Sequence, residues 1–501
     1  MAAPVNSISE VTSAMSSEDQ QSNLHDMAKA FAWTSGGMWS TQLFTWLATF
    51  TTARLLTPAD FGLVAVAYLC VGIMAEICGA LGWVVIYLQE LGEEQIGQLN
   101  TLVAMLGIAA FALTCLLAHA IGVFFRMPRM PMILFWMSII FVLTALKTVP
   151  AALLQRDCDF KSLATIESVS YLAYALCTVT LALMGAGYWS LVAGLVLMSA
   201  VSTLLTLRVR RQSFYWPSRN ALRYPLRFSS HMLVSSVAWY IYSNSDFMAA
   251  GRMLGQAALG AYTFAWTLAS APVDKMAKLV NRVMPSYFAA AHKDNETGAL
   301  RTYLLTLAEV VSVIVLPMGV GLAIVADQFL HVALGDRWSA AVGPLRILLA
   351  YAVIRALTNI LGPLLNAKQQ TRFTMWTNIA AAVYFPIGFL IGATWGTSGI
   401  ATTWVLLYPV LAIPLFLRTF REIELPWVEF MRSLWPAFSC GFLMAAALLV
   451  AREFLPAEWP ELVRLILEIA TGILVYGCSL LLLHPENVRR LYHIVRMPNP
   501  Q

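Results

Sequence analysis

The stretch from Leu99 to Val123 reads LNTLVAMLGIAAFALTCLLAHAIGV and contains no Asp, Glu, Lys or Arg. An α helix rises about 1.5 Å per residue, so roughly 20 apolar residues cross the ~30 Å hydrocarbon core of a bilayer. This run therefore predicts a membrane-spanning helix. Runs of the same kind recur along the whole chain. They lie near 32–53, 60–82, 99–123, 131–153, 163–185, 188–208, 228–250, 258–284, 302–326, 341–365, 372–395, 397–418, 433–452 and 462–483. The longest connections, near 209–227, 285–301 and 419–432, are too short for a folded water-soluble domain. The expected fold class is all-α, a polytopic membrane protein of about fourteen transmembrane helices.

Composition agrees. Of 501 residues, 59% are hydrophobic and 12% charged, against about 25% charged in soluble proteins. Lipid has to cover that much apolar surface. Six of the seven cysteines fall in apolar runs, Cys158 being the exception, and no spacing matches a metal site or a disulfide framework. The polar residues 1–30 lack a basic n-region and a cleavage site, which predicts a disordered cytoplasmic tail, not a signal peptide.

Orientation follows from Lys and Arg between the spans, because cytoplasmic loops collect positive charge. With alternating spans, twenty-one loop cations fall on the side of Arg156, Arg210, Arg301 and Arg418, and seven on the side of Arg54, Arg126, Arg252 and Arg337. The first side is expected to be cytoplasmic, with both termini on it. Residues 83–98 depart from this pattern, carrying Glu90, Glu93 and Glu94 and no basic residue. The net charge of +5 reflects orientation, not binding to nucleic acid.

An internal echo divides the chain. Arg54-Leu-Leu-Thr-Pro-Ala-Asp-Phe-Gly62 and Arg252-Met-Leu-Gly-Gln-Ala-Ala-Leu-Gly260 share Arg, Leu and Gly at an offset of 198. PAALLQ from Pro150 echoes PLLN from Pro363, and the turn at Gly185 and Gly187 echoes that at Gly396 and Gly399. The order predicts two parallel six-helix repeats, 31–210 and 228–420. Two extra helices at 430–484 and a cytoplasmic tail at 485–501 would follow. Gly388, Gly392 and Gly396 form a GxxxGxxxG run that permits close helix contact. Pro272, Pro317, Pro386, Pro409, Pro414 and Pro436 lie within spans, where kinks are tolerated.

Ionisable groups inside a membrane are costly and mark candidate sites. They are Glu76, Lys147, Asp246, Asp274, Lys275, Glu309, Arg346 and Arg355. Lys147 and Arg346 lie near enough to a span end to snorkel. Asp274, Lys278 and Arg282 share a helix face at i, i+4, i+8, as an intrahelical pair or as a cationic cavity wall. Ser235, Trp239, Tyr242 and Asp246 share another, suited to a polar, aromatic cavity surface. Arg355, Arg346, Lys275 and Lys147 are candidates for an anionic cargo, with Asp246, Tyr242 and Trp239 beside them. Asp246, Glu76, Glu309 and Asp274 either pair with these cations or bind a coupling H⁺ or Na⁺.

Enzymatic signals are absent from the sequence. Asp157-Cys-Asp159 sits in a short loop without a nucleotide-binding domain, the histidines do not cluster, and neither a P-loop nor a GxSxG elbow occurs. The chain reads as a non-enzyme without a bound cofactor.

Three segments carry a family resemblance. ARLLTPADFGLVAVA (53–67), followed by Glu76 and LGWVVIYLQ (81–89), resembles the start of bacterial polysaccharide flippases. PAALLQRDCDFKSLA (150–164) resembles their loop between helices four and five. VNRVMPSYFA (280–289) through LPMGVGLAIVADQFLHVALGDRW (316–338) resembles their eighth-to-tenth helix region. Together they resemble the Wzx-type, colanic-acid-exporter-like branch of the multidrug/oligosaccharidyl-lipid/polysaccharide exporter superfamily.

The resemblance implies two six-helix lobes around a cavity. It implies flipping of undecaprenyl-diphosphate-linked repeat units across the bacterial inner membrane by ion-coupled alternating access. It also implies a working partnership with polysaccharide polymerase or export machinery. It does not assign binding residues. A cation-coupled drug antiporter on the same fold, a glycan ligase and a structural partner in an assembly complex are the competing functions.

Overall fold

The computed structural model describes residues 44–88, 90–157, 159–291, 296–367, 370–456 and 458–489. The expected tail at 1–30, residues 490–501 of the expected tail at 485–501, the start of the first span and Cys158 lie outside them. All ordered elements among the described residues are helical. They are α1 (44–55), α2 (Pro58–Tyr87), α3 (Glu93–Phe124), α4 (Met130–Arg156), α5 (Phe160–Leu183), α6 (Tyr188–Val209), α7 (Arg219–Ala249) and α8 (Gln256–Ala291). Then come α9 (Glu296–Leu334), α10 (Val342–Asn359), α11 (Leu361–Ala367), α12 (Thr371–Gly392), α13 (Gly396–Glu422), α14 (Trp427–Phe454) and α15 (Glu461–Leu483).

The short α11 continues α10 across Ile360, so the described helices correspond one to one with the fourteen expected spans. Among the described residues, ten stretches are long and apolar enough to cross a membrane, and one of them, Arg372–Glu422, holds both α12 and α13. The three expected spans outside that set are α1, α7 and α8. α7 is the most polar of them, with Ser235, Ser236, Ser243, Asn244, Ser245 and Asp246 in its second half.

Local chemistry sets the helix starts. Thr57 and Asp60 form a capping box at α2, Thr57 Oγ1 donating to Asp60 Oδ2 at 2.7 Å and Asp60 N–H donating to Thr57 Oγ1 at 3.3 Å. Pro58 occupies the first helical position, where its missing N–H costs nothing. Asp159 caps α5 by accepting from Ser162 N–H at 3.1 Å, and Asp157 lies 3.6 Å from Arg210. Both members of the acidic pair thus have structural partners.

The described chain divides into two compact units, and the division does not follow chain order. One ends its first segment at Leu55 and adds Met74–Ala118 and Met132–Ser229; the other gathers Leu56–Ile73, His119–Pro131 and everything from Ser230. In the first unit, Lys147 of α4 donates to Ser202 of α6 at 2.9 Å, and Thr203 donates to the Leu143 carbonyl at 2.9 Å.

Within the second unit the start of α2 crosses the start of α8. A Cβ on Gly62 would overlap the Gln256 carbonyl, and one on Gly260 would overlap the Pro58 carbonyl. These are the two glycines that end the echoed motifs. Deeper along α2, Tyr240 OH donates to the Leu69 carbonyl at 2.6 Å, its ring filling the space beside Gly72.

α12 and α13 close as a hairpin. Gly388 faces Leu407 and Thr403, and Gly392 meets the Gly399 carbonyl. Gly396 contributes differently, opening α13 with a φ of +75° that favours glycine. Helices α14 and α15 pack on α9. Tyr476 OH donates to the Val313 carbonyl at 2.9 Å, Arg301 pairs with Glu429, and Arg452 donates to the Ile324 carbonyl at 3.1 Å.

Candidate functional site

All the contacts that follow lie within the second unit, except where noted. The site is built on α8, whose residues Trp266, Ser270 and Asp274 recur every four positions and so share a face. Arg355 of α10 meets all three. Its Nη1 donates to Ser270 Oγ at 3.0 Å, its Nη2 donates to Asp274 Oδ1 at 3.0 Å, and its guanidinium lies 5.7 Å from the Trp266 ring centroid. The stripe formed by Asp274, Lys278 and Arg282 therefore extends toward the N-terminus of α8 by two further turns. The partner of Asp274 is a cation of another helix. The side chains of Lys278 and Arg282 lie outside the described residues.

The pair is unequally open. The Arg355 side chain is 20% exposed and that of Asp274 55%. A guanidinium held on one side by a carboxylate, a hydroxyl and an indole keeps further N–H donors for another anion, since arginine has five in all. Its planar fork suits phosphate oxygens.

Aromatic rings continue from Trp266. Trp266 lies 5.7 Å from Tyr351 and 5.3 Å from Trp404, Tyr351 stacks on Trp404 at 4.8 Å, and Tyr408 meets Tyr351 edge-on at 4.9 Å. Phe385 and Phe389 close on Trp404 at 4.8 and 4.9 Å. Tyr242 of α7 stacks on Phe385 at 5.4 Å. The run of rings thus joins α7, α8, α10, α12 and α13.

Asp246 lies under this run and is fully buried. Its Oδ2 accepts from Tyr262 OH at 2.7 Å and from Trp404 Nε1 at 3.0 Å, while Oδ1 accepts from Phe247 N–H at 2.8 Å. The expected face of Ser235, Trp239, Tyr242 and Asp246 is thus split between environments. Tyr242 and Asp246 are buried, Trp239 is 40% exposed, and Ser235 accepts from Asn378 Nδ2 of α12 at 3.0 Å. Aromatic packing from α12 and α13 seals the Asp246 end. The carboxylate points neither at lipid nor at an open surface.

The remaining candidates are dispersed. Lys275 follows Asp274 and is half-buried on α8. Arg346 is exposed and donates through Nε to the Ala323 carbonyl of α9 at 3.2 Å. Glu309 of α9 is fully buried and accepts from Asn487 Nδ2 at 2.6 Å. Lys147, bonded to Ser202, and the half-buried Glu76 both belong to the first unit. Within the second unit the structure gathers Arg355, Asp274, Tyr242 and Asp246 around one aromatic core and leaves Arg346 and Glu309 without a contact to it.

Two polar features were passed over in the sequence. Glu468, inside the last apolar run, is 1% exposed and lies 3.7 Å from Arg452 Nε. His331 of α9 sits between Asp336 (2.6 Å) and Glu461 (3.3 Å), lining a cavity of about 210 Å³. The first joins α14 to α15, and the second joins α9 to the start of α15. The signal for Glu468 was a carboxylate in an otherwise uncharged stretch of α15. His331 had no signal, because its partners come from other elements.

Known proteins place this architecture. The fold is similar to that of the lipid II flippase MurJ in its inward closed conformation, with a TM-score of 0.74, 14% identity, and coverage of 91% of this chain and 99% of that one. The sequence is 29% identical to the succinoglycan biosynthesis transport protein ExoT of Rhizobium meliloti (strain 1021), over 90% of this chain and 91% of that protein. It is 26% identical to the lipopolysaccharide biosynthesis protein WzxC of Escherichia coli (strain K12), over 76% and 80%. Residues 52–343, more than half the chain, match the family model described as polysaccharide biosynthesis protein, and the chain belongs to that family.

Proposed function

We propose that the chain is a flippase for lipid-linked oligosaccharide. In this reading it carries an undecaprenyl-diphosphate-linked repeat unit from the cytoplasmic to the periplasmic leaflet of the bacterial inner membrane. The product feeds exopolysaccharide or lipopolysaccharide synthesis. Both termini are cytoplasmic, and the work is transport, not catalysis. The succinoglycan transport relative and the lipopolysaccharide biosynthesis relative support the assignment.

The observation that carries the reading is Arg355, a cation inside the helices that is held but not enclosed. Its carboxylate, hydroxyl and indole partners fix the guanidinium in place, which lowers the ordering cost of engaging a diphosphate. Trp266, half-buried beside the guanidinium, offers an apolar ring of the kind that packs on sugars. Lys275 adds a second positive charge on α8, and Arg346, Lys147 and Trp239 are secondary contacts along the route.

Coupling to H⁺ or Na⁺ is assigned to Asp246 first, with Glu76, Glu309 and Asp274 as the other carboxylates. Two donors from different helices converge on Asp246 Oδ2. A proton or cation there competes with Tyr262 and Trp404, so loading shifts the contacts among α7, α8 and α13. That is how a small ion biases an equilibrium between two helix arrangements.

The test is a strain lacking the protein, with lipid-linked repeat units assayed by leaflet. Accumulation on the cytoplasmic leaflet with loss of surface polysaccharide is the expected result. Normal arrival at the outer leaflet, in a strain without a substitute flippase, overturns the reading and favours the drug antiporter.

A further inference from the structure

The segment joining α6 to α7 is not a slack linker. Residues 210–218 lie outside any helix and run along the N-terminal turns of α3, all within the first unit. Ser218 N–H donates to Gln98 Oε1 at 3.1 Å, Asn100 Nδ2 donates to the Ser213 carbonyl at 3.4 Å, and Tyr215 N–H donates to the Gly97 carbonyl at 3.4 Å. Gly97 has no side chain, and the Tyr215 ring fills that space. At the other end, Arg210 lies 3.6 Å from Asp157.

Tyr215 packs on Gly97 of α3, while Phe214 and Trp216 are 56% and 82% exposed. Arg208 and Arg211 are exposed as well. The strap lies at the level of Gln98 and Asn100, where the uncharged run of α3 begins. That is the depth of a membrane–water boundary, where aromatic rings settle and arginines reach lipid phosphates. The acidic start of α3 lies at the strap's far end, with Glu94 accepting from Gln98 Nε2 at 3.1 Å.

We propose that this strap is a docking surface for anionic phospholipid headgroups of the surrounding bilayer, with Arg208 and Arg211 on the phosphates and Phe214 and Trp216 in the interface. Charge complementarity selects the occupant: two exposed guanidiniums beside two exposed rings match an anionic lipid better than a zwitterionic one. The proposal depends only on the membrane setting of the strap and stands apart from the transport reading.

The test compares retention of phosphatidylglycerol with that of phosphatidylcholine by the purified full-length protein, using native mass spectrometry from mixed micelles. Wild type is expected to prefer phosphatidylglycerol about thirtyfold, from two basic residues at about 1 kcal/mol each near the surface. R208Q/R211Q is expected to fall close to parity, and F214A/W216A to lose part of the preference. R208K/R211K keeps it. An unchanged preference in R208Q/R211Q overturns the proposal, as does equal loss in R208K/R211K, which would mean a collapsed strap. Displacement of phosphatidylglycerol by one equivalent of undecaprenyl diphosphate also overturns it, since the strap would then be a landing point for substrate.

Discussion

Arg355 of α10 donates Nη2 to Asp274 Oδ1 at 3.0 Å while its Nη1 is bound to Ser270, so one guanidinium ties two helices at three points of contact with α8. The two partners are separable by mutation. Asp274 is more than half exposed, so Asp274→Ala is expected to cost only about 1 kcal/mol of stability. Arg355→Ala is expected to lower surface polysaccharide about tenfold or more at normal expression, and R355A/D274A not to restore it. Complementation of a deletion strain, with membrane protein quantified, checks both. Full activity in the double variant would make the pair purely structural.

Asp246 accepts three hydrogen bonds from neutral donors, so a hydrogen added to the side chain takes the place of one of them. In Asp246→Asn, the amide oxygen can take the place of Oδ2, but its NH₂ then faces the Phe247 N–H. The expected cost is about 2 kcal/mol, from one unmade buried hydrogen bond. Tyr262→Phe removes a donor and should cost about 1 kcal/mol. Thermal unfolding of the purified variants reads the order, with Asp246→Asn below Tyr262→Phe.

The Gly62–Gly260 crossing makes a non-additive prediction. Gly62→Ala and Gly260→Ala each force the start of α2 away from the start of α8, at about 1–3 kcal/mol for overpacking. Once one methyl has separated the backbones, the second meets less resistance. The double variant should therefore lose less than the sum of the singles. Melting of all four proteins closes the cycle.

Asn487 lies beyond the last long helix yet bonds to a carboxylate buried in α9. Asn487→Ala should cost about 1–2 kcal/mol by removing one hydrogen bond of Glu309. Truncation after Leu483 should cost at least as much. An unchanged melting temperature in both would show that Glu309 is held by its other contacts.

Fourteen spans were legible because apolar length is a one-dimensional signal, and the described helices fall where the runs do. Arg355 and Asp246 were legible as costly charges, but their partners were not. The Arg355 contacts lie 81 and 85 residues away in sequence, and Trp404 lies 158 residues from Asp246. Such pairings arise only when helices cross. Tyr242 and Asp246 share a helical face with Trp239, but periodicity cannot tell which neighbours cover that face. Here Phe385 and Trp404 bury one end and leave Trp239 open. The chain's division into units was also illegible, since it cuts α2 between Ile73 and Met74, inside a continuous helix.

The contact between Gly62 and Gly260 is reciprocal in its detail. Each glycine meets the carbonyl lying four residues before the other, Gln256 in one direction and Pro58 in the other. Identical subunits related by a twofold axis meet in this way, each offering the same patch to its mate. One copy of the echoed motif already holds both sides of the joint. The crossing has the form of a twofold joint closed within a single polypeptide.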